Sequence, residues 1–469
     1  MNHRISTTLL LVAAATLLVA DAASGGLWED ELPVIQDSVA QNRSYLTIAP
    51  DDTVYALWPN WDDWEDTQIT LTTSADRGNT WSEPAILFDG LPYDNMDIHA
   101  DADGVHLLLI EFFEDDENEY KWLYYTKSVD GGETFSEPIQ VGERQNIEAI
   151  KLFTAPGMIY IYAENYDFEI DVEYNYLYVS SDGGDTWDEK PLLAPTSITN
   201  PDFTVHDGAI HIVFGSFFGE GGILYARSTD DGDTWTTPVT ATDGAPQYAQ
   251  LPQIAIDDNA IHVTWEDARF GDFNVMYTRS TDGGSNWSPD QQVNDTYYGG
   301  RPRLLADEEG LHVVWVQYHG DDGWPTSWGS NDYGILWYKS SDDSGLTWSD
   351  EYRVSQNEDV DPIDLPDMGA NHVELAEYSD GFAAMWQDKR EGNVDLMIRN
   401  NVGPPTADCE GDANGDGVVD PLDSGFVLAR FGCPVGTGDP SCDSADQNGD
   451  GVVDPLDSGF VLARFGQCL

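Results

Sequence analysis

One eight-residue phrase returns six times along this chain. It reads SADRGNTW at 74–81, SVDGGETF at 128–135, SSDGGDTW at 180–187, STDDGDTW at 228–235, STDGGSNW at 280–287 and SDDSGLTW at 341–348. The consensus is S-x-D-x-G-x-T-W, and the closing aromatic recurs at steps of 54, 52, 48, 52 and 61 residues. A repeat of this period marks a chain built from one supersecondary unit, each copy needing its neighbours to bury its faces.

The phrase has the chemistry of a tight turn. Ser and Asp side chains accept hydrogen bonds from nearby backbone N–H groups, Gly supplies positive φ, and the Trp leaves the turn free to anchor between neighbouring sheets. An alternating run such as NVMYTRS or YLYVSS precedes the phrase, and a short strand with Pro, as in SEPAILF or SEPIQV, often follows it. Upstream lies a strand pair such as PQIAIDDNAIHVTW, turning at Asp-Asn. Each unit is thus four short antiparallel strands, the make-up of a propeller blade. A seventh unit lacks the phrase and stops after three strands: HVELAEY, GFAAMWQDK and NVDLMIRN, between His372 and Asn400. Its missing fourth strand is expected from the other end of the chain, where ELPVIQDSV (31–39) resembles the post-turn strands. The fold class is therefore all-β, a seven-bladed β-propeller over 28–401 closed by its N-terminal strand, which removes the exposed edges.

The phrase resembles the Asp box, or BNR repeat, of sialidases and related β-propellers, and the resemblance covers most of residues 30–400. It implies that each box joins the third and fourth strands, on the face opposite the binding face. Sialidases have six blades, which makes a six-bladed propeller the alternative. They clamp a substrate carboxylate with three arginines and use an acidic proton donor and a Tyr activated by a Glu. The R-I-P phrase that carries their first arginine is absent here. Arg43 occupies a comparable place, Arg301 and Arg303 open the sixth unit in the same way, and Arg144 precedes the third. The loops expected on the binding face, such as PNWDDWED (59–66) and EDARFGD (266–272), mix carboxylates with aromatics, which suits sugars and equally suits a solvated acidic rim. Two of them share W-x-D-x-R: Trp265, Asp267, Arg269 and Trp386, Asp388, Arg390. An Asp and an Arg so close on a hairpin can also simply pair and stiffen it. The candidate substrate-binding residues are Arg43, Trp61, Asp62, Glu266, Asp267, Arg269, Arg301, Arg303, Asp388 and Arg390. No nucleophile elbow, HExxH or phosphate loop is present, and no catalytic residue is assigned.

Charge narrows the partners. Against 20 Lys plus Arg stand 86 Asp plus Glu, a net of -66. That field repels nucleic acid and anionic lipid and favours cations. Residues 1–22 read as a secretory signal peptide: His3 and Arg4, an apolar run from Leu9 to Ala20, then Ala20-Asp21-Ala22 as the cleavage site. No other run is apolar enough for a transmembrane anchor, so the chain is expected to be secreted, at or beyond the cell surface. Its four cysteines, Cys409, Cys433, Cys442 and Cys468, all lie near the C-terminus, an even number suited to two disulfides in an oxidising compartment.

After a linker at 402–408 comes a second domain, 409–469, in which nineteen residues are printed twice: NGDGVVDPLDSGFVLARFG at 414–432 and at 448–466. Oxygen-bearing side chains fall at positions 1, 3, 5, 9 and 12, with Gly at 6, the pattern of an EF-hand calcium loop with Asp at 12. The ligands expected for two calcium ions are Asp412, Asn414, Asp416, the carbonyl of Val418, Asp420 and Asp423, and Asp446, Asn448, Asp450, the carbonyl of Val452, Asp454 and Asp457. Each loop leads into one short helix with no helix entering it. Loop then helix, twice, resembles a dockerin, a small α-helical calcium-binding module whose family docks onto cohesins of scaffolds or surface proteins. The positions that carry recognition in that family hold Pro421-Leu422 and Pro455-Leu456 here, a departure that leaves the cohesin-like partner open. The pseudo-twofold of such a module pairs Cys409 with Cys468 and Cys433 with Cys442. Three functions remain: a tethered propeller that binds extracellular glycan, a sialidase-like glycoside hydrolase or polysaccharide lyase, and a structural surface protein that meets another protein.

Overall fold

The computed structural model describes residues 27–402, apart from 36–43, 62–66, 90–92, 115–118, 144–145, 168–171, 194–197, 216–221, 244–247, 272, 296–298, 308, 320–332, 356–362, 365–372 and 389–394, and beyond 402 it describes Val427, Leu428, Arg430, Val452, Val453 and Pro455. Alternating runs become strands and box phrases become the turns between them, so the chain folds as seven antiparallel sheets in sequence order. Blade 1 is Tyr45–Ile48, Val54–Trp61, Thr67–Ser74 and Ala85–Phe88; blade 2 is Tyr93–Asp101, Gly104–Glu114, Glu119–Ser128 and Ile139–Gln140. Blade 3 is Ile147–Ala155, Met158–Asp167, Val172–Ser180 and Asp188–Pro191; blade 4 is Thr199–His206, Ala209–Gly215, Ile223–Ser228 and Val239–Thr240. Blade 5 is Gln250–Ile256, Ile261–Asp267, Asn274–Ser280 and Gln291–Gln292; blade 6 is Gly299–Asp307, Gly310–His319, Tyr333–Ser341 and Tyr352–Arg353, with Ile363–Asp364 added beside its third strand. Blade 7 is Val373–Tyr378, Gly381–Asp388 and Asp395–Val402, completed by Leu27–Trp28 and Leu32–Ile35. The first strand of each blade touches the first strand of the next, and blade 7 returns to blade 1, so the ring is closed. The seven-blade expectation holds and the six-blade alternative does not.

The second strands are buried almost throughout; Ala209–Gly215 and Ile261–Asp267 are buried at every position. Apolar clusters sit between adjacent blades, as where Leu177 and Phe153 of blade 3 meet Phe203, Ile212 and Phe214 of blade 4. Burial between sheets, rather than within one, therefore holds the ring together.

The box turns tie those interfaces. In blade 3, Ser180 Oγ donates to Asp182 Oδ1 at 2.8 Å and accepts the N–H of Gly184 at 2.9 Å. Asp182 in turn accepts the N–H of Thr186 at 2.9 Å and its hydroxyl at 2.6 Å. The same four bonds recur around Asp76, Asp130, Asp230 and Asp343, and around Asp282 with Asn286 in place of Thr. The box Gly has no room for a side chain: a methyl group on Gly184 would lie 2.2 Å from Tyr125 of blade 2, and on Gly345 1.9 Å from Tyr277 of blade 5. The box Trp leans the same way, edge-on to the preceding blade's Tyr, with Trp187 5.1 Å from Tyr125 and Trp348 5.1 Å from Tyr277. Those tyrosines are held from behind by histidines of the second strand. His106 bridges Asp101 and Tyr125, His262 bridges Asp257 and Tyr277, and His312 bridges Asp307 and Tyr338.

Closure is more complete than the sequence suggested. Leu32–Ile35 pairs with Asp395–Val402 as expected, and Leu27–Trp28 extends the same edge. Trp28 stands edge-on 5.3 Å from Tyr338 of blade 6, as the box Trp residues stand against their tyrosines. The N–H of Glu29 bonds to Asn400 O at 2.9 Å, just as Ser82 after Trp81 bonds to Thr73 O at 2.8 Å. The N-terminal segment thus supplies the second half of a box turn that the seventh unit lacks.

Candidate functional site

Box turns and first hairpins share one face, because the first and third strands of each blade run in the same direction. The opposite face carries the ends at which the seven innermost strands begin. There the ladders break: bulges fall between Tyr93 and Asn95, Ile147 and Ala149, Thr199 and Asp202, Gln250 and Gln253, and Gly300 and Arg303. In blades 4, 5 and 6 the bulged residues Asn200, Leu251 and Arg301 have φ of 46°, 50° and 51° and each precedes a proline. Proline cannot donate to a ladder, so it sits where pairing is already broken.

Past the bulges, seven residues occupy equivalent register against their second strands: Tyr45, Asp97, Lys151, Asp202, Gln253, Arg303 and Glu374. All seven line one cavity of about 410 Å³ at the mouth of the central channel, together with Asn95 and Arg301. The ring is dense in charge and internally paired. Lys151 Nζ bonds to Asp202 Oδ1, and Arg303 Nε lies 3.7 Å from Glu374 Oε2. Two of the acids also grip the following blade. Asp97 accepts the N–H of Leu152 at 2.7 Å, and Asp202 accepts that of Ile254 at 2.9 Å. One layer deeper, Thr47 Oγ1 accepts the N–H of Ala100 at 3.0 Å. Tyr45 donates its hydroxyl to Asn95 at 2.8 Å.

Crowding by the channel wall governs the protonation of these acids. Burial pushes Asp97 up to about 7, against the backbone N–H of Leu152 and the charge of Lys151, which pull it down. Burial likewise raises Glu374, only partly countered by Arg303 and Lys151. Behind the ring, Glu266 is 4% exposed and also raised by burial. Its carboxylate accepts the N–H of Arg301 at 2.8 Å and an N–H of the Gln250 side chain, so it holds the bulge that presents Arg301 and Arg303 to the cavity. His99, two residues beyond Asp97, is lowered to about 4 by burial and stays neutral.

Of the sequence candidates, Arg301 and Arg303 reach the cavity and Glu266 supports them from behind. Asp267 and Arg269 do not reach it. They strap the blade-5 loop, Asp267 accepting Arg269 Nε at 3.0 Å, Nη2 at 2.7 Å and Trp265 Nε1 at 3.2 Å. Arg269 then binds Asp290 at 2.7 Å, so the stiffening role of W-x-D-x-R is the one adopted here. Trp61 and Asp388 end strands whose backbones alone are described, while Arg43, Asp62 and Arg390 lie outside the described residues. So do the signal peptide, all four cysteines and every calcium-loop ligand except Val452, which is exposed beside the buried Val453. Among the described residues no group of three His, Cys, Asp or Glu is placed to hold a metal ion, and no helix is long and apolar enough to cross a membrane.

The ring residues Tyr45, Asp97, Lys151, Asp202, Gln253 and Glu374 were not singled out from sequence. A signal exists: in four blades the ring residue stands nine positions before the second-strand histidine, Asp97 before His106, Asp202 before His211, Gln253 before His262 and Arg303 before His312.

No protein-family model matches this chain, and no curated protein matches it in sequence. Among solved structures it is similar to a protein of unknown function from Dyadobacter fermentans, at 14% identity and TM-score 0.47, covering 63% of this chain and 95% of that one. It is also similar to a Hadza microbial sialidase, at 17% identity and TM-score 0.42, covering 59% of this chain and 63% of that one. A third is the endosialidase of phage phi92, at 11% identity and TM-score 0.45, covering 81% of this chain and 69% of that one. At these identities the likeness is one of fold.

Proposed function

We propose that this is an exported propeller that binds extracellular glycan at the mouth of its central channel and is tethered by a calcium-dependent C-terminal module. The observation that carries the reading is the cavity of about 410 Å³ into which all seven innermost strands turn a side chain, with the Tyr45 ring and a fringe of amide, guanidinium and carboxylate groups on its wall. A few convergent polar groups around a concave site are what sugar hydroxyls require. Export rests on the signal-like N-terminus, and tethering on the two calcium-loop sequences, whose dockerin-like pattern points to a cohesin-like or other surface protein.

A second reading, a glycoside hydrolase, draws on one specific feature: Asp97, at about 7, holds a proton near neutral pH beside a cavity open to substrate. Binding is preferred because both oxygens of Asp97 are engaged by backbone N–H groups, at 2.7 Å from Leu152 and 2.9 Å from Ile98. A glycan array run beside a panel of chromogenic glycosides separates the readings. Binding without turnover supports the first, and turnover abolished in Asp97→Asn supports the second. Silence in both assays leaves a structural surface protein as the reading that stands.

A further inference from the structure

We propose that the mouth ring selects uncharged sugars and discriminates against sugars that carry a carboxylate. This rests on the glycan-binding reading and names the class of glycan. The geometry points there because the ring cations already have anionic partners. Lys151 is bonded to Asp202, and Arg303 faces Glu374 at 3.7 Å, with both acids held inside the same cavity. Asp202 cannot swing aside freely, since its second oxygen holds the N–H of Ile254 at 2.9 Å across the blade interface. A carboxylate entering the cavity must compete with Asp202 and Glu374 for Lys151 and Arg303, compete for Arg301 with Glu266, on which the charge of that arginine already acts, or lie beside Asp202 and Glu374. Each course leaves a desolvated negative charge without an undivided partner. A hydroxyl meets no such penalty, because it can donate to a second lone pair of a ring carboxylate and accept from Arg, Lys, Asn95 or Gln253 without displacing any pair.

The test compares matched probes, galactose oligomers and the corresponding galacturonic acid oligomers, titrated calorimetrically into the full chain at 0.15 M and 0.5 M NaCl. The neutral oligomer is expected to bind more than about tenfold more tightly at both salt concentrations. Persistence at 0.5 M separates the ring from the field of a chain with net charge -66, which is largely screened there. In Glu374→Gln, whose fold is checked by circular dichroism, Arg303 loses its acidic partner and the galacturonic oligomer is expected to gain at least about fivefold relative to the neutral one. Equal or tighter binding of the acidic oligomer to the native chain overturns the inference and keeps the glycan reading. Discrimination that vanishes at 0.5 M overturns it too. Binding of neither oligomer, with silence on a wider array of neutral and acidic glycans, overturns the glycan reading and this inference with it.

Discussion

At the scale of single residues, two adjacent glycines of blade 3 separate conformation from packing. Gly183 and Gly184 have φ of 79° and 96°, a region that costs an L-residue about 1–2 kcal/mol. Nothing lies within 4 Å of a methyl group on Gly183, whereas on Gly184 it would stand 2.2 Å from Tyr125. Gly183→Ala should therefore cost about 1–2 kcal/mol, and Gly184→Ala about 1–3 kcal/mol more from overpacking, as read by urea denaturation. The box acids set a pH dependence. Side-chain and backbone hydrogen bonds from Thr134, Thr186 and Asn286 hold Asp130, Asp182 and Asp282 down to about 2. Their folded-state pKa lies below the roughly 4 of an unfolded chain, so their stabilisation is complete above about pH 4 and is lost as pH falls through about 2. Asp97 acts with the opposite sign. Its folded pKa is about 7, so the folded state binds the proton more tightly and stability declines as pH rises from about 4 to 7. Denaturation curves from pH 2 to 8 should show both limbs, the acid limb shallower in Asp182→Asn and the upper limb flatter in Asp97→Asn.

At the scale of elements, the closing segment matters most. Leu27–Trp28 and Leu32–Ile35 cover the outer edge of Asp395–Val402, and Trp28 is seated between Tyr338, Phe382 and Arg399. Removing residues 27–35 uncovers that edge and opens the join between the chain ends. The melting temperature should fall by more than about 5 °C, with concentration-dependent association in size-exclusion runs. Trp28→Ala alone should cost about 2–3 kcal/mol, since the side chain is half-buried rather than enclosed. An unchanged melting curve for the deletion would show that the last blade does not depend on its borrowed strands. The strand pairing was legible in ELPVIQDSV, because post-turn strands share a local pattern. The role of Trp28 was not, since a half box cut from its Ser, Asp and Gly is recognisable only beside Tyr338.

At the scale of the whole molecule, the sequence joins the propeller to a tail of different composition. The propeller is held by seven inter-blade apolar clusters. For the tail, with its duplicated acidic loops and four cysteines, we propose a module so small that it depends on metal and disulfides. Calorimetry should show two transitions, the lower one shifting down with EDTA and restored by calcium while the upper one stays. A trace unaltered by EDTA would count against the calcium assignment. Peptide mapping should join Cys409 to Cys468 and Cys433 to Cys442; Cys409 joined to Cys433 would refute the pairing.

The sequence by itself determined the blade count, the turn chemistry and the closure. Ser, Asp, Gly and Thr of a box meet through a single turn, the blade count follows from the repeat, and the closing strand shows itself because ELPVIQDSV shares the pattern of the post-turn strands. Tertiary structure alone decided which residues face the channel. Strand side chains alternate with a period of two, so the bulges before Asp202, Gln253 and Arg303 decide which set turns inward. Packing of consecutive blades then brings Lys151 to Asp202 and Arg303 to Glu374, residues 51 and 71 positions apart in the chain. Asp267 and Arg269 instead form a strap within the blade-5 loop, while the bulge held by Glu266 leaves Arg301 and Arg303 at the mouth. Side-chain direction and partnership at that distance follow from the packing of whole blades, which no local pattern encodes.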